Sequence, residues 1–236
     1  AGLPEPVHVW RVSSLAEPSG FSRRAFVGRQ QERETFESAV KDCLAGGGGQ
    51  TLIVRGEAGI GKTRLLEEFE QIADGQGMVA HTGLVLDFGT AEGQDAVGAL
   101  VRSLLGLVPD SSVEQRKAAL DRTIETGVVD EPRRVFMNDL LDLDQEPALR
   151  GLYDTIDNEA RNRGKHETVT SLVANASKQQ PLLLKFEDLH WADSFVKQQV
   201  AHLARMASDC QIVQLLTTRL SGDQLDKDWK DSCGDA

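Results

Sequence analysis

The chain has 236 residues, 40% hydrophobic and 27% charged, with 26 basic against 37 acidic side chains and a formal net charge of −11. That length allows one large α/β domain or two small ones. The acidic balance argues against a nonspecific nucleic-acid surface, which depends on clustered Lys and Arg. No apolar run approaches the roughly 20 residues of a membrane span.

Cys43, Cys210 and Cys233 are widely spaced and form no CxxC, so they read as reduced thiols of a cytoplasmic protein. No signal-peptide pattern is present. The chain opens on Ala1 rather than Met, which suggests a segment of something longer. His8, His81, His166, His190 and His202 fall into no metal-ligand spacing, and neither a GxSxG elbow nor a GxGxxG dinucleotide fingerprint occurs.

In chain order, residues 1–25 read as an extended stretch, Val7 to Val12, followed by a proline-bearing linker. A helix is expected over 32–44, where Phe36, Ala39, Val40, Cys43 and Leu44 recur at helical intervals. Gly46 to Gly49 end it. Thr51-Leu52-Ile53-Val54 then has the length and composition of a buried strand, and Leu65, Leu66, Phe69 and Ile72 mark a helix shortly after.

Between them lies Gly56-Glu57-Ala58-Gly59-Ile60-Gly61-Lys62-Thr63, which fits GxxxxGK[ST] at every fixed position. In a strand-loop-helix context such glycines let main-chain N–H groups curl around phosphate oxygens at a helix N-terminus. A helix terminus contributes about 0.3–1 kcal/mol to an anion. A unit-charge pair at ~4 Å is worth about 4 kcal/mol at an effective dielectric near 20. Lys62 should therefore carry more of the neutralisation than the dipole, and Thr63 offers a hydroxyl to Mg²⁺. A nucleoside triphosphate is the ligand this pattern implies.

A second strand is expected over 78–86. Residues 94–178 carry helical patterns such as Ala99-Leu100-Leu104-Leu105 and Phe136-Leu140-Leu141, divided by Pro109, Pro132 and Pro147. A third strand, 182–186, ends in Glu187 and Asp188. Adjacent acids at the end of a parallel strand can divide metal ligation from the orientation of attacking water. Glu187 is assigned to the metal and Asp188 to the water, and the two roles are exchangeable by one residue of register. Lys185 interrupts this apolar strand, either snorkelling toward the sheet end or lying on a partly exposed face.

His190 falls close by without a catalytic assignment. Asp193 or Ser194 is placed to cap a helix over 195–207. A fourth strand, 212–217, leads to Arg219, a guanidinium that can sense a terminal phosphate or lie as a surface arginine. Residues 221–236 suggest a frayed end, although Leu225 and Trp229 are helically spaced. Strands alternating with helices imply a mainly parallel sheet covered on both faces.

Together, Phe26-Val27-Gly28-Arg29, GEAGIGKT, the EDLHWAD run from Glu187 to Asp193 and Leu215-Leu216-Thr217-Thr218-Arg219 resemble the AAA-like, STAND-type signalling ATPases. The resemblance covers residues 26–219. It implies an α/β P-loop NTPase of the ASCE/AAA-like kind, with a core over 26–220 and a helical insert at about 94–178, between the second strand and the Walker B strand. It also implies that the last strand and lid lie outside the chain. Val27, Gly28 and Arg29 would flank adenine, Arg219 would act as sensor 1, Thr63 and Glu187 would hold Mg²⁺, and ATP would be the ligand.

A narrower likeness concerns Leu86-Asp87-Phe88-Gly89-Thr90, Asp139-Leu140-Leu141-Asp142-Leu143 and the run from Asn158 to Lys165. These segments resemble the ATPase portion of bacterial proteins that carry a class III adenylate/guanylate cyclase domain in front, and the opening GLPEPVHVWRV is similar to the tail of such a domain. The expectation is a slow ATPase or nucleotide switch inside a larger signalling protein. Its partners would be a cyclase domain upstream and a sensor or repeat domain downstream, with room for a nucleotide-dependent oligomer. Arg161, Arg163 and Arg205 are candidate fingers in trans. The alternatives are a nucleotide-independent scaffold and the ATPase module of a transcription regulator.

Overall fold

The computed structural model describes residues 28–85 and 95–220, together with Leu225, Trp229, Lys230 and Cys233. The expected strand at Val7 to Val12, the Phe26-Val27 pair and the Leu86 to Thr90 segment lie outside the described residues.

Four strands form one sheet: β1 (Gln50–Arg55), β2 (Val79–Leu84), β3 (Leu182–Glu187) and β4 (Ile212–Thr218). Their order is β1-β4-β3-β2, and every neighbouring pair is parallel. Strand β4 thus separates β1 from β3. The register aligns Arg55 with Thr218, Phe186 with Leu216 and Leu84 with Glu187, so β1 to β4 end along one edge. Whatever follows each strand converges there.

Parallel strands need helical crossovers, and these cover both faces. On one side lie α1 (Gln30–Leu44) and α2 (Lys62–Gly75). Phe36 of α1 stacks on Phe69 of α2 with ring centroids 4.3 Å apart and 7° between planes. Both rings pack with Leu65, Leu66, Leu183, Val213 and Leu215, the odd-numbered side chains of β3 and β4. The even-numbered Leu182, Leu184, Phe186, Ile212 and Leu216 face the other core, shared with α3 (Asp95–Leu104), α7 (Asn158–Ser177) and α8 (Ser194–Ala207). Gln214 is the polar exception on that face. It is fully buried, and it accepts from the Thr51 hydroxyl at 3.1 Å and donates to the Val200 carbonyl at 3.2 Å, which satisfies both ends of its amide.

The helical insert is present as α3, α4 (Val113–Glu125), α5 (Arg134–Leu140), α6 (Pro147–Thr155) and α7, with a 3₁₀ turn at Glu131–Arg133. The prolines start elements more than they end them. Pro147 is the first residue of α6 and Pro132 sits in the 3₁₀ turn, where a missing N–H costs nothing. Ser112 and Gln115 form a reciprocal capping box on α4, and Asp157 caps α7 by accepting from the Ala160 N–H at 2.7 Å. A polar cluster ties the insert together. Lys165 Nζ is 2.9 Å from Asp139, and Asp139 also accepts from the Tyr153 hydroxyl. Burial and this carboxylate push the Tyr153 phenol up to about 12.

Three expectations change. Strand β1 is an edge strand whose residues are all partly exposed, because among the described residues only β4 pairs with it. The second strand is Val79–Leu84, shorter at both ends than 78–86. The tail is not frayed at the residues described. Leu225 is 1% exposed and its carbonyl accepts from Arg55 at 3.0 Å. Trp229 Nε1 donates to the Lys197 carbonyl at 2.9 Å, and Cys233 is buried against Ala201 and Ala204.

Candidate nucleotide site

The loop joining β1 to α2 turns on Gly59 (φ +79°) and Gly61 (φ +93°), a region of backbone space closed to most side chains. A Cβ at either glycine would meet nothing within 4 Å, so the space over the loop is open. Helix α2 begins at Lys62 with no side-chain cap and no acid in its first turn, so its first N–H groups remain available to an anion. Lys62 Nζ donates to the carbonyls of Gly56 at 2.8 Å and Glu57 at 3.2 Å, folded back over its own loop.

Arg29 sits in the left-handed region just before α1, next to Gly28 (φ +87°), and its Nη2 donates to the Ile60 carbonyl at 3.0 Å. The segment ahead of α1 is thereby fastened to the phosphate loop. Val27 lies outside the described residues.

Ala58, Gly59, Gly61, Lys62, Thr63, Arg64, Glu67, Asp188 and Arg219 line one open cavity of about 500 Å³. Lys62 and Thr63 come from the start of α2, Asp188 from just past β3 and Arg219 from just past β4, all on the edge where the strands end. Gly56, Glu57, Ile60 and Glu187 are not among its lining residues. Glu187 shares the α2 face of β3 with Lys185, since side chains alternate along a strand. Burial pushes its carboxyl up from the ordinary range; Lys185 opposes that shift, and Asp188, Glu70 and Glu67 add to it. A carboxylate in that position gains from a nearby cation.

Asp188 itself is left-handed (φ 59°, ψ 40°), and its N–H donates to the Thr217 hydroxyl at 2.9 Å. Thr217 therefore fixes the turn that aims Asp188. The residues that follow form a 3₁₀ turn, Leu189–Trp191, which carries His190 3.8 Å from Asp188. Asp193, rather than Ser194, caps α8 by accepting from the Val196 N–H at 2.8 Å. Arg219 lies over the Trp191 ring, 5.4 Å from its centroid.

Lys185 is not on a partly exposed face: it is 6% exposed, and its Nζ is 2.5 Å from Glu70 Oε2 on α2. Of the finger candidates, Arg161 is held in the insert by the Tyr153 carbonyl at 2.8 Å and by stacking 4.1 Å from the Tyr153 centroid. Arg163 pairs loosely with exposed Glu159 at 3.7 Å. Arg205 is in the last turn of α8, the end remote from the acid-bearing turn.

Among the described residues no group of three or more His, Cys, Asp or Glu side chains forms a metal cage. Mg²⁺ in a triphosphate site takes most of its ligands from water and phosphate and one or two oxygens from the protein. Thr63 offers its hydroxyl from the cavity wall, while Glu187 lies outside that lining and its neighbour Asp188 within it. Among the described residues no helix is long and apolar enough to cross a membrane.

A parallel sheet with a glycine loop and lysine after β1, an acid-ended β3 and β4 between them defines an α/β domain of the P-loop NTPase class. Residues 25–216 match the AAA ATPase domain, and the chain belongs to that family. A comparison with curated proteins found no match.

Proposed function

We propose that the chain binds ATP with Mg²⁺ and serves as a switch module that hydrolyses ATP slowly. The observation that carries this reading is the convergence of Lys62, Thr63, Asp188 and Arg219, from three separate elements, on one cavity at the strand ends.

The terminal phosphates would draw Lys62 off the Gly56 and Glu57 carbonyls and onto their own oxygens, a stronger partner for an ammonium than a neutral carbonyl. The amides of residues 59–63 would cradle the same oxygens. Thr63 and Glu187 would hold Mg²⁺, whose charge neutralises the phosphates. Asp188, aimed by Thr217, would orient the attacking water, and Arg219 would meet charge developing on the transferred group. Loss of that phosphate would release Lys62 and Arg219 together, which is how such a site reports its nucleotide state. Arg29, already bonded to the Ile60 carbonyl, would flank the base together with Gly28.

The STAND-type signalling context rests on the four motifs between residues 26 and 219, and a cyclase domain upstream on the likeness of segments 86–90, 139–143 and 158–165, the last two lying on α5, the turn after it and the start of α7. They concern the parent protein, in which flanking domains and a nucleotide-dependent oligomer would be the partners.

The test is an ATP titration with and without Mg²⁺ on the chain and on Lys62→Ala. Binding that needs the metal and is lost in the variant supports the reading; equal titration curves end it. The flanking sequence decides the cyclase context.

A further inference from the structure

A buried lysine in the middle of a parallel strand needs a reason, because β3 is covered on both faces. Lys185 sits on the α2 face of that strand, two residues before Glu187 and on the same side. Its partner, Glu70, is on α2, seven residues beyond Thr63, or roughly 10 Å along the helix axis. Glu67, one turn nearer the phosphate loop, lines the nucleotide cavity. It also lines a groove of about 420 Å³ that Glu70, Gln71 and Asp74 share with the start of β2. Glu67 thus borders both the nucleotide cavity, with Asp188, and the groove, with Glu70. Arg64 meets Glu67 2.8 Å away, and the buried ammonium of Lys185 meets Glu70.

Stability does not account for that ammonium. Only the lysine end of the pair is buried, Glu70 being 43% exposed; a buried charge is commonly no more stabilising than an apolar group of similar volume, and the neighbours of Lys185 along β3 are leucines and a phenylalanine. What an apolar residue would not supply is positive charge beside Glu187.

We propose that the Lys185–Glu70 pair is a built-in counter-charge for the metal side of the nucleotide site. Lys185 moderates how tightly Glu187 holds a divalent cation, and it neutralises the α2 carboxylates that would otherwise gather a second one. The inference rests on the Mg²⁺-ATP reading and names Lys185 as a positioning residue that acts through Glu187.

Equilibrium dialysis tests this, with Mn²⁺ and ATP on both sides of the membrane and the excess metal and excess nucleotide retained by the chain counted separately. The wild type should retain about one metal per nucleotide. Lys185→Met should reach half-saturation at about tenfold lower Mn²⁺, the sense expected for removing a like charge two residues away on the same strand face, and should retain additional metal. Glu70→Gln should shift half-saturation the opposite way, and the double variant should return near the wild type. Opposite shifts from the two single variants separate a charge effect from structural damage, which would weaken both alike. Nucleotide retained by the wild type and Lys185→Met with the same metal dependence overturns the inference and leaves the ATP reading standing. No nucleotide retained by the wild type overturns both.

Discussion

The Arg219 guanidinium rests over the indole of Trp191, 5.4 Å from the ring centroid, while lining the cavity that holds Lys62 and Asp188. A cation–π contact at a site this open is worth about 0.5–1 kcal/mol. A unit-charge contact with phosphate at ~4 Å is worth about 4 kcal/mol at an effective dielectric near 20. A γ-phosphate should therefore win the guanidinium from the indole. Adding ATP and Mg²⁺ should change the tryptophan emission, ADP should do so less, and Trp191→Phe should abolish the response while keeping nucleotide binding. An undiminished response in Trp191→Phe would mean that the signal comes from elsewhere and that Arg219 stays where it is.

Thr217 aims Asp188. Thr217→Val keeps the shape but removes the acceptor for the Asp188 N–H, in a chain region where the threonine is 2% exposed. An unsatisfied, partly buried donor costs about 1–3 kcal/mol. The variant should lose stability of that order in a denaturant titration. It should also lose turnover by more than it loses ATP affinity, because Lys62 and the loop, the groups proposed to carry binding, are left unchanged. Loss of affinity with turnover per bound ATP unchanged would remove Thr217 from the water-orienting role.

The sheet and the phosphate loop were legible because each rests on local pattern: an apolar run, a glycine-rich turn, a helix with Leu65, Leu66 and Phe69 at its core-facing positions. The convergence of the acid-ended strand with Lys62 was legible for the same reason, since parallel strands must end on a common edge. Three things were not. The role of Thr217 depends on β4 lying beside β3 in a register that puts its hydroxyl against the Asp188 amide, and strand order is not written in either strand alone. The exposure of β1 is likewise a property of the sheet's order. The Lys185–Glu70 pair joins residues 115 apart in sequence, and a lysine in an apolar run carries no local sign of its partner.

His166 should make stability fall in mild acid. It is 5% exposed, bonded through Nδ1 to the Gln199 amide oxygen at 2.8 Å and stacked on Phe195 and His202. Burial lowers its pKa, Gln199 and Gln198 oppose that, and His202 and nearby Lys165 lower it further. A lowered value means that the unfolded chain takes up the proton first. The stabilising contribution is complete above the ordinary value of about 6.5 and is lost as pH falls from there through the folded value. His81, lowered by burial, adds in the same sense. Unfolding free energies compared at pH 7.5 and 5.5 should show a drop that His166→Phe reduces, whatever offset that substitution brings at both pH values. An equal drop in the variant would clear His166 of the effect.

Two glycines should answer opposite ways to the same methyl group. At Gly49, just before β1, a Cβ would lie 1.9 Å from the Ile212 carbonyl oxygen and 2.7 Å from that of Ala207. Both are main-chain atoms, and Gly49 already donates to Ala207 at 2.8 Å, so neither side has room to yield. At Gly151, inside α6, a Cβ would meet nothing within 4 Å. Gly151→Ala should stabilise by about 0.5–1 kcal/mol, the backbone freedom an alanine removes from a helix interior. Gly49→Ala should destabilise by about 1–3 kcal/mol, the usual cost of overpacking. For a chain of this size each kcal/mol moves the thermal midpoint by roughly 2–4 °C, so the two variants should fall on either side of the wild type in one melting experiment. A Gly49→Ala chain that melts with the wild type would mean that the turn into β1 can move aside, and with it the strand that carries the phosphate loop.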